Sequence, residues 1–209
     1  MKIVKLTGTV ELLSGLHIGG GDDTMKIGGV DNQIIKDANT DNPYIPGSSL
    51  KGKMRSLLEW DIGVVGIGDG NPFHSKLLDK SIFSDANLKK KAETLLKLFG
   101  DKEGKFGITR ISVGDCRLCQ ESESMVLSEA KYENVINRQT GIASNPRQTE
   151  RVPAGVKFDF DIRIKVLDEN DNEEELVSMV KEGFELIESD YLGGNGSRGY
   201  GRVKFHLSE

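Results

Sequence analysis

In KIVKLTGTVELL, residues 2–13, Val4, Leu6, Val10 and Leu12 fall on one parity, with lysine, threonine and glutamate between them. A period of two is that of a strand with one buried face. GSSLKGKMRSLLEW (47–60) changes the period: Leu50, Met54, Leu57 and Leu58 line one side of a helix, with Ser48 and Ser49 in the place of N-caps. KFGITRISVGD (105–115) reads as a strand. GVKFDFDIRIKVL (155–167) alternates without a break over Val156, Phe158, Phe160, Ile162, Ile164 and Val166. EEELVSMVKEGFELIESD (173–190) returns to helical spacing through Leu176, Val180, Phe184 and Ile187. RVKFHL (202–207) closes with alternating Val203, Phe205 and Leu207.

Strand, helix, strand, strand, helix, strand is the ferredoxin-like order, an α+β fold. At 209 residues the chain is long enough for one domain with insertions, and the surplus falls at 14–46 and 61–106. A third irregular stretch, 131–154, contains the polar run ASNPRQTER, which predicts a projecting hairpin.

Net charge is −5, which at first argues against a nucleic-acid partner. The distribution reverses that reading. Residues 168–190 hold ten acids and one lysine, so the rest of the chain carries +4. Acid-free basic clusters stand at Lys51, Lys53 and Arg55 and at Arg198, Arg202 and Lys204. The acidic run itself reads as a solvated helix face.

Cys116 and Cys119 form one C-x-x-C. Zinc needs two further ligands, and the chain has only three histidines to help supply them, so two reduced thiols are the expectation. With neither a leader-like start nor a long apolar run, a cytoplasmic protein without membrane contact is expected.

LGGNGSRGYGR (192–202) contains G-x-G-x-x-G at Gly194, Gly196 and Gly199. A dinucleotide fingerprint needs a strand before it and a helix after it. Here the order is reversed. What remains is a backbone able to lie close to a phosphate, or a plain linker.

SGLHIGGG, IGGVDNQIIKD, IPGSSLKGKMR, YENVINRQTG with NPRQTERV, and DYLGGNGSRGYGR follow one another along the chain. Together they resemble the backbone subunit of type III-A CRISPR effector complexes, in the RAMP superfamily, from residue 2 to about 206. The resemblance implies a modified RNA-recognition, ferredoxin-like core with a thumb hairpin at about 131–154, in a single domain spanning 1–209. It implies a guide RNA, a complementary single-stranded target RNA, further copies of the chain in a filament and other effector subunits as partners. It also implies target cleavage at regular intervals with a divalent metal ion, Mg2+ or Mn2+, whose ligands the sequence does not identify.

Residue by residue, Asp31 matches the aspartate on which cleavage depends, and His17 a residue near the guide. Ser48, Ser49, Lys51, Lys53 and Arg55 match a helix start contacting guide phosphates. Asn137, Arg138, Arg147 and Arg151 belong to the thumb, where GIASNPRQ is one residue longer than the family pattern. Gly194, Gly196, Ser197, Arg198 and Gly199 match the loop along the guide backbone. The residues alone leave two alternatives: a non-catalytic scaffold that binds guide RNA, and a metal-independent repeat-processing endoribonuclease with His17 as general base.

Overall fold

A computed structural model describes residues 1–21, 32–68 and 70–208. Strand β1 (Lys2–Leu12) lies at the centre of the main sheet. On one side it pairs antiparallel with β6 (Lys157–Val166), from Lys2 opposite Val166 to Glu11 opposite Lys157. On the other it pairs with β7 (Val203–Leu207), from Gly8 opposite Leu207 to Leu12 opposite Val203. The short strands β2 (Ile111–Val113) and β3 (Arg117–Leu118) both run along the far edge of β6. The order β2-β6-β1-β7 is that of a ferredoxin-like sheet.

The alternation read from the sequence sets the inner face. Val10, Leu12, Phe158, Phe160, Ile162, Ile164, Val203 and Phe205 are buried there. Helices α1 (Gly47–Ile62) and α3 (Glu173–Ser189) supply Leu50, Met54, Leu58, Leu176, Val180, Phe184 and Ile187 to the same core. Phe184 stacks on Phe205 with ring centroids 4.3 Å apart. Helix α2 (Ala86–Phe99) belongs to the stretch 61–106 and packs on both α1 and α3. Strands β4 (Glu129–Ile136) and β5 (Ala143–Arg151) pair with each other, apart from the main sheet, as a hairpin whose turn is held by the Asn137 side chain accepting from Gln139 and Thr140 N–H; at its base Thr149 also bridges Asn32.

Three expectations change. The strand read over 105–115 shrinks to Ile111–Val113, because the Arg110 guanidinium turns back onto the Phe106 and Ile108 carbonyls and onto Asp171. Ser48 and Ser49 do not cap α1. Pro46 is its N-cap residue, and the Gly47 N–H is taken by the Asp115 carboxylate at 2.8 Å, a partner 68 residues away. The acidic run 168–190 is not simply a solvated face. Six of its ten acids are ion-paired: Asp171 with Arg110, Glu173 with Lys2, Glu175 with Lys90, Glu182 with Lys91, Glu188 with Lys204 and Asp190 with Lys53.

Candidate nucleic-acid interface

The outward positions of the sheet do not offer a stacking platform. Lys5, Thr7, Thr9 and Glu11 on β1 stand beside Asp159, Asp161, Arg163 and Lys165 on β6 without a Phe, Tyr or Trp among them, and the His206 ring on β7, beside Thr9, is held by Glu11 at 2.9 Å. RNA-recognition sheets bind through outward aromatics. An RNA site on this chain therefore lies elsewhere, and the sequence-derived residues mark where.

His17 stands at a junction. Its Nδ1 lies 2.7 Å from the Glu150 carbonyl oxygen. A carbonyl only accepts, so Nδ1 carries the proton and Nε2 of the neutral ring keeps its lone pair. The His17 carbonyl in turn accepts from Gly194 N–H at 2.8 Å. His17 thus joins the base of the β4–β5 hairpin to the glycine loop. It also lines a cavity of about 410 Å³ with Gly19–Gly21, Asn32–Lys36 and Asp41. Asn32 is the residue after Asp31 in sequence; Asp31 itself lies outside the described residues.

Glu150 holds this junction, and nothing in the sequence marked it. One carboxylate oxygen accepts from Lys36 Nζ at 2.8 Å and Ser128 Oγ at 2.5 Å, the other from Ile34 N–H at 3.0 Å, while its own N–H donates to the Asn32 carbonyl. Burial alone would raise its pKa; the Lys36, Ser128 and Ile34 hydrogen bonds outweigh burial and hold it below the usual carboxylate value. Its partners are 22 to 116 residues away, which is why a sequence reading passes over it.

The glycine loop is knitted to the segment after β1. Gly201 N–H donates to Gly15 O, and Leu192 N–H to Gly201 O. Gly193 has φ +76° and a side chain there would collide with the His17 carbonyl; one at Gly196 would enter the Tyr191 ring. The loop's glycines are therefore required first by the fold. The Tyr191 ring by itself requires glycine at 196, with or without a phosphate beside it. Gly199 (φ +83°) faces open space, and Ser197, Arg198 and Gly199 are exposed, whereas Gly194 is half-buried against the His17 ring.

The α1 cations separate into two kinds. Arg55 donates to Glu59 and to the Phe73 and Gly100 carbonyls, so its guanidinium anchors the 61–106 stretch. Lys53 bonds Asp190 at 2.6 Å and lies 3.9 Å over the Tyr191 ring, fastening α1 to the start of the glycine loop. Lys51 is half-buried and makes no ion pair among the described residues. Burial, then the nearby Arg55 charge, lower its pKa. Ser48 is exposed and Ser49 half-buried on the turn before it.

On the hairpin, Asn137, Arg138 and Arg147 are exposed, and the two arginines have no ion pair among the described residues. Arg151 is engaged at the hairpin base, with Nε 2.7 Å from Glu129 and its guanidinium over the Tyr200 ring. Arg198 NH1 lies 3.2 Å from Glu133. So His17, Gly194, Gly196 and Lys53 form one connected strip, while Arg55 lies outside it.

The comparisons agree with the fold. The family model described as the RAMP superfamily matches residues 9–204. The chain belongs to the RAMP superfamily. Within it, the sequence is 38% identical over 97% of this chain and 89% of the relative to the protein named CRISPR system Cms endoribonuclease Csm3 from Enterococcus italicus. It is 40% identical over 97% of this chain and 86% of the relative to the Csm3 of Streptococcus thermophilus. Among solved structures, a Csm3–Csm4 subcomplex of the type III-A CRISPR-Cas interference complex matches with TM-score 0.58 and 30% identity, over 98% of this chain and 76% of that one. A chain of the type III-B Cmr-beta complex, at 17% identity and TM-score 0.67 over 99% of this chain and 60% of that one, shares the fold.

Cys116 and Cys119 are buried. Burial first, and nearby carboxylates second, push both thiols up to about 12, so neither is a thiolate at neutral pH. Among the described residues no three His, Cys, Asp or Glu side chains converge on a metal position, and no helix is long and apolar enough to cross a membrane.

Proposed function

We propose that the chain is a guide-RNA-holding backbone subunit of a type III-A effector and cuts the paired target RNA. The observation that supports this most is the continuous strip from the first turns of α1, through the glycine loop, to His17 and the hairpin base, with Lys51 beside it making no ion pair among the described residues. Such a strip grips backbone and leaves sequence reading to base pairing. The named activity of the Csm3 relatives, endoribonuclease, fits this reading. Copies of the chain in a filament, other effector subunits and the target strand are partners in this proposal.

The reaction proposed is in-line attack of a ribose 2′-OH on the adjacent phosphorus. A new O2′–P bond forms, the P–O5′ bond breaks, the 2′-OH proton passes to water, and the leaving 5′-oxygen takes a proton from water. A regular A-form duplex holds the 2′-OH badly for that angle, so the hairpin, carrying exposed Tyr132, Val135, Ile136 and Ile142, has the task of distorting the strand. Asp31 orients the nucleophile. The divalent ion remains part of the proposal, but the described residues form no cage for it, and no step here is routed through it.

The test is incubation of the assembled complex with labelled complementary RNA, with and without EDTA, for the wild type and Asp31→Ala. Regular cuts that vanish with Asp31→Ala while binding persists are expected. Equal loss of binding and cutting contradicts the catalytic role of Asp31, and cutting undiminished by EDTA contradicts the metal. One observation favours a second reading, in which His17 acts as general base: its Nδ1 is tied to the Glu150 carbonyl and its Nε2 makes no hydrogen bond among the described residues. Cutting that persists in EDTA and is lost in His17→Ala with binding retained supports that reading.

A further inference from the structure

The hairpin and the glycine loop meet at one carboxylate. Glu133, on β4, accepts from Arg198 NH1 at 3.2 Å through one oxygen. Through the other it accepts from the Tyr200 hydroxyl at 3.3 Å, with Lys131 Nζ at 3.6 Å. Arg198 is the exposed arginine of the loop, its side chain 53% accessible, and it also donates to Asn195. Tyr200 is fully buried, and Lys131 and Arg151 both lie over its ring. The anchored members of the group are thus Tyr200 and Glu133. Arg198 is the one with solvent to turn into.

We propose that Glu133 is a built-in competitor of the RNA backbone: its carboxylate occupies the Arg198 guanidinium in the RNA-free chain, and a phosphate must displace it. A carboxylate and a phosphate present the same oxygen fork to a guanidinium, so the exchange replaces one charge-assisted pair by another. Displacement removes the ion pair between hairpin and loop, while the Tyr200 hydroxyl on Glu133 and the Lys131 and Arg151 contacts to the Tyr200 ring still join them. The inference rests on the RNA-binding reading above and deepens it by naming a residue that sets the affinity of the same site.

The experiment uses the full RNA-free chain and a fluorescein-labelled oligouridylate, titrated at low and high salt. Glu133→Gln keeps the size and the hydrogen bond to Tyr200 while removing the charge. It is expected to bind about two- to fivefold more tightly than wild type at low salt, the range of an exposed ion pair. Glu133→Asp keeps the charge but is one methylene short of Arg198, and an intermediate gain is expected. In an Arg198→Ala background both gains should vanish. Persistence of the gains there, or absence of gain from both variants with melting unchanged, overturns the proposal. If Glu133→Gln melts well below wild type, Glu133→Asp decides, since a gain from it cannot come from charge removal. Failure of the wild-type chain to bind the oligonucleotide at any salt overturns the RNA-binding reading, and this proposal with it, whereas binding without gain overturns this proposal alone.

Discussion

The helical layer and the hairpin carry their charges in opposite ways. On α3 and its lead-in, acids meet cations from β1, α1, α2, β7 and the 100–110 stretch, and six of ten are paired. On the β4–β5 hairpin, Arg138 and Arg147 make no ion pair among the described residues and stand next to exposed Tyr132, Val135, Ile136 and Ile142. The first region uses charge to hold elements together; the second leaves charge and apolar surface for something outside the chain. Net charge cannot distinguish the two. A chain of −5 can still leave cations available, because six of the ten acids on α3 and its lead-in already have partners.

The comparison is broken most strongly at Arg110. This arginine and Asp171 are buried together, with side-chain exposures of 8% and 0%. Arg110→Ala leaves a buried carboxylate unpaired and is expected to destabilise by about 3–5 kcal/mol, read by denaturant titration, without changing RNA affinity where the chain is folded. Burial raises and the Arg110 and Leu167 hydrogen bonds lower the Asp171 pKa, and the net shift is downward. Its contribution to stability is therefore present above the unfolded-state carboxylate pKa and is lost as pH falls through the lower folded value. A melting temperature unchanged by Arg110→Ala contradicts the structural role.

Gly196→Val comes next. Valine there meets the Tyr191 ring, so a stability loss of about 1–3 kcal/mol is expected, seen as a lower melting temperature of the RNA-free chain. Unchanged melting with lost RNA binding would return this glycine to the phosphate contact. Lys51→Glu should weaken binding to every RNA sequence alike, by about tenfold at moderate salt, with melting little altered. Loss confined to particular sequences sinks that assignment. Arg147→Ala should be the smallest, within about 0.5 kcal/mol in stability and mild in guide binding, its effect falling on cleavage of the paired strand.

The sheet was legible because alternation over 155–167 and 2–13 is a local property that packing then respects. The strand at 105–115 was overread because the Arg110 guanidinium, bonded to Phe106, Ile108 and Asp171, competes with pairing, and such a buried side chain leaves no trace in periodicity. The site was half legible. Basic residue types in α1 were visible, but which were already engaged was not. Lys53 and Arg55 find Asp190 and the Phe73 and Gly100 carbonyls only in three dimensions. Glu133 and Glu150 were missed for the same reason.

The measurement closest to the central claim is the salt dependence of RNA binding for Lys51→Ala against Lys91→Ala. Lys91 is the paired control, held by Asp61 and Glu182. Removing a phosphate-contacting cation lowers the slope of log K against log salt by about one. The slope is expected to fall for Lys51→Ala and to stay at the wild-type value for Lys91→Ala. Equal slopes for all three proteins, or an equal drop for both variants, would contradict the division between engaged and available charge.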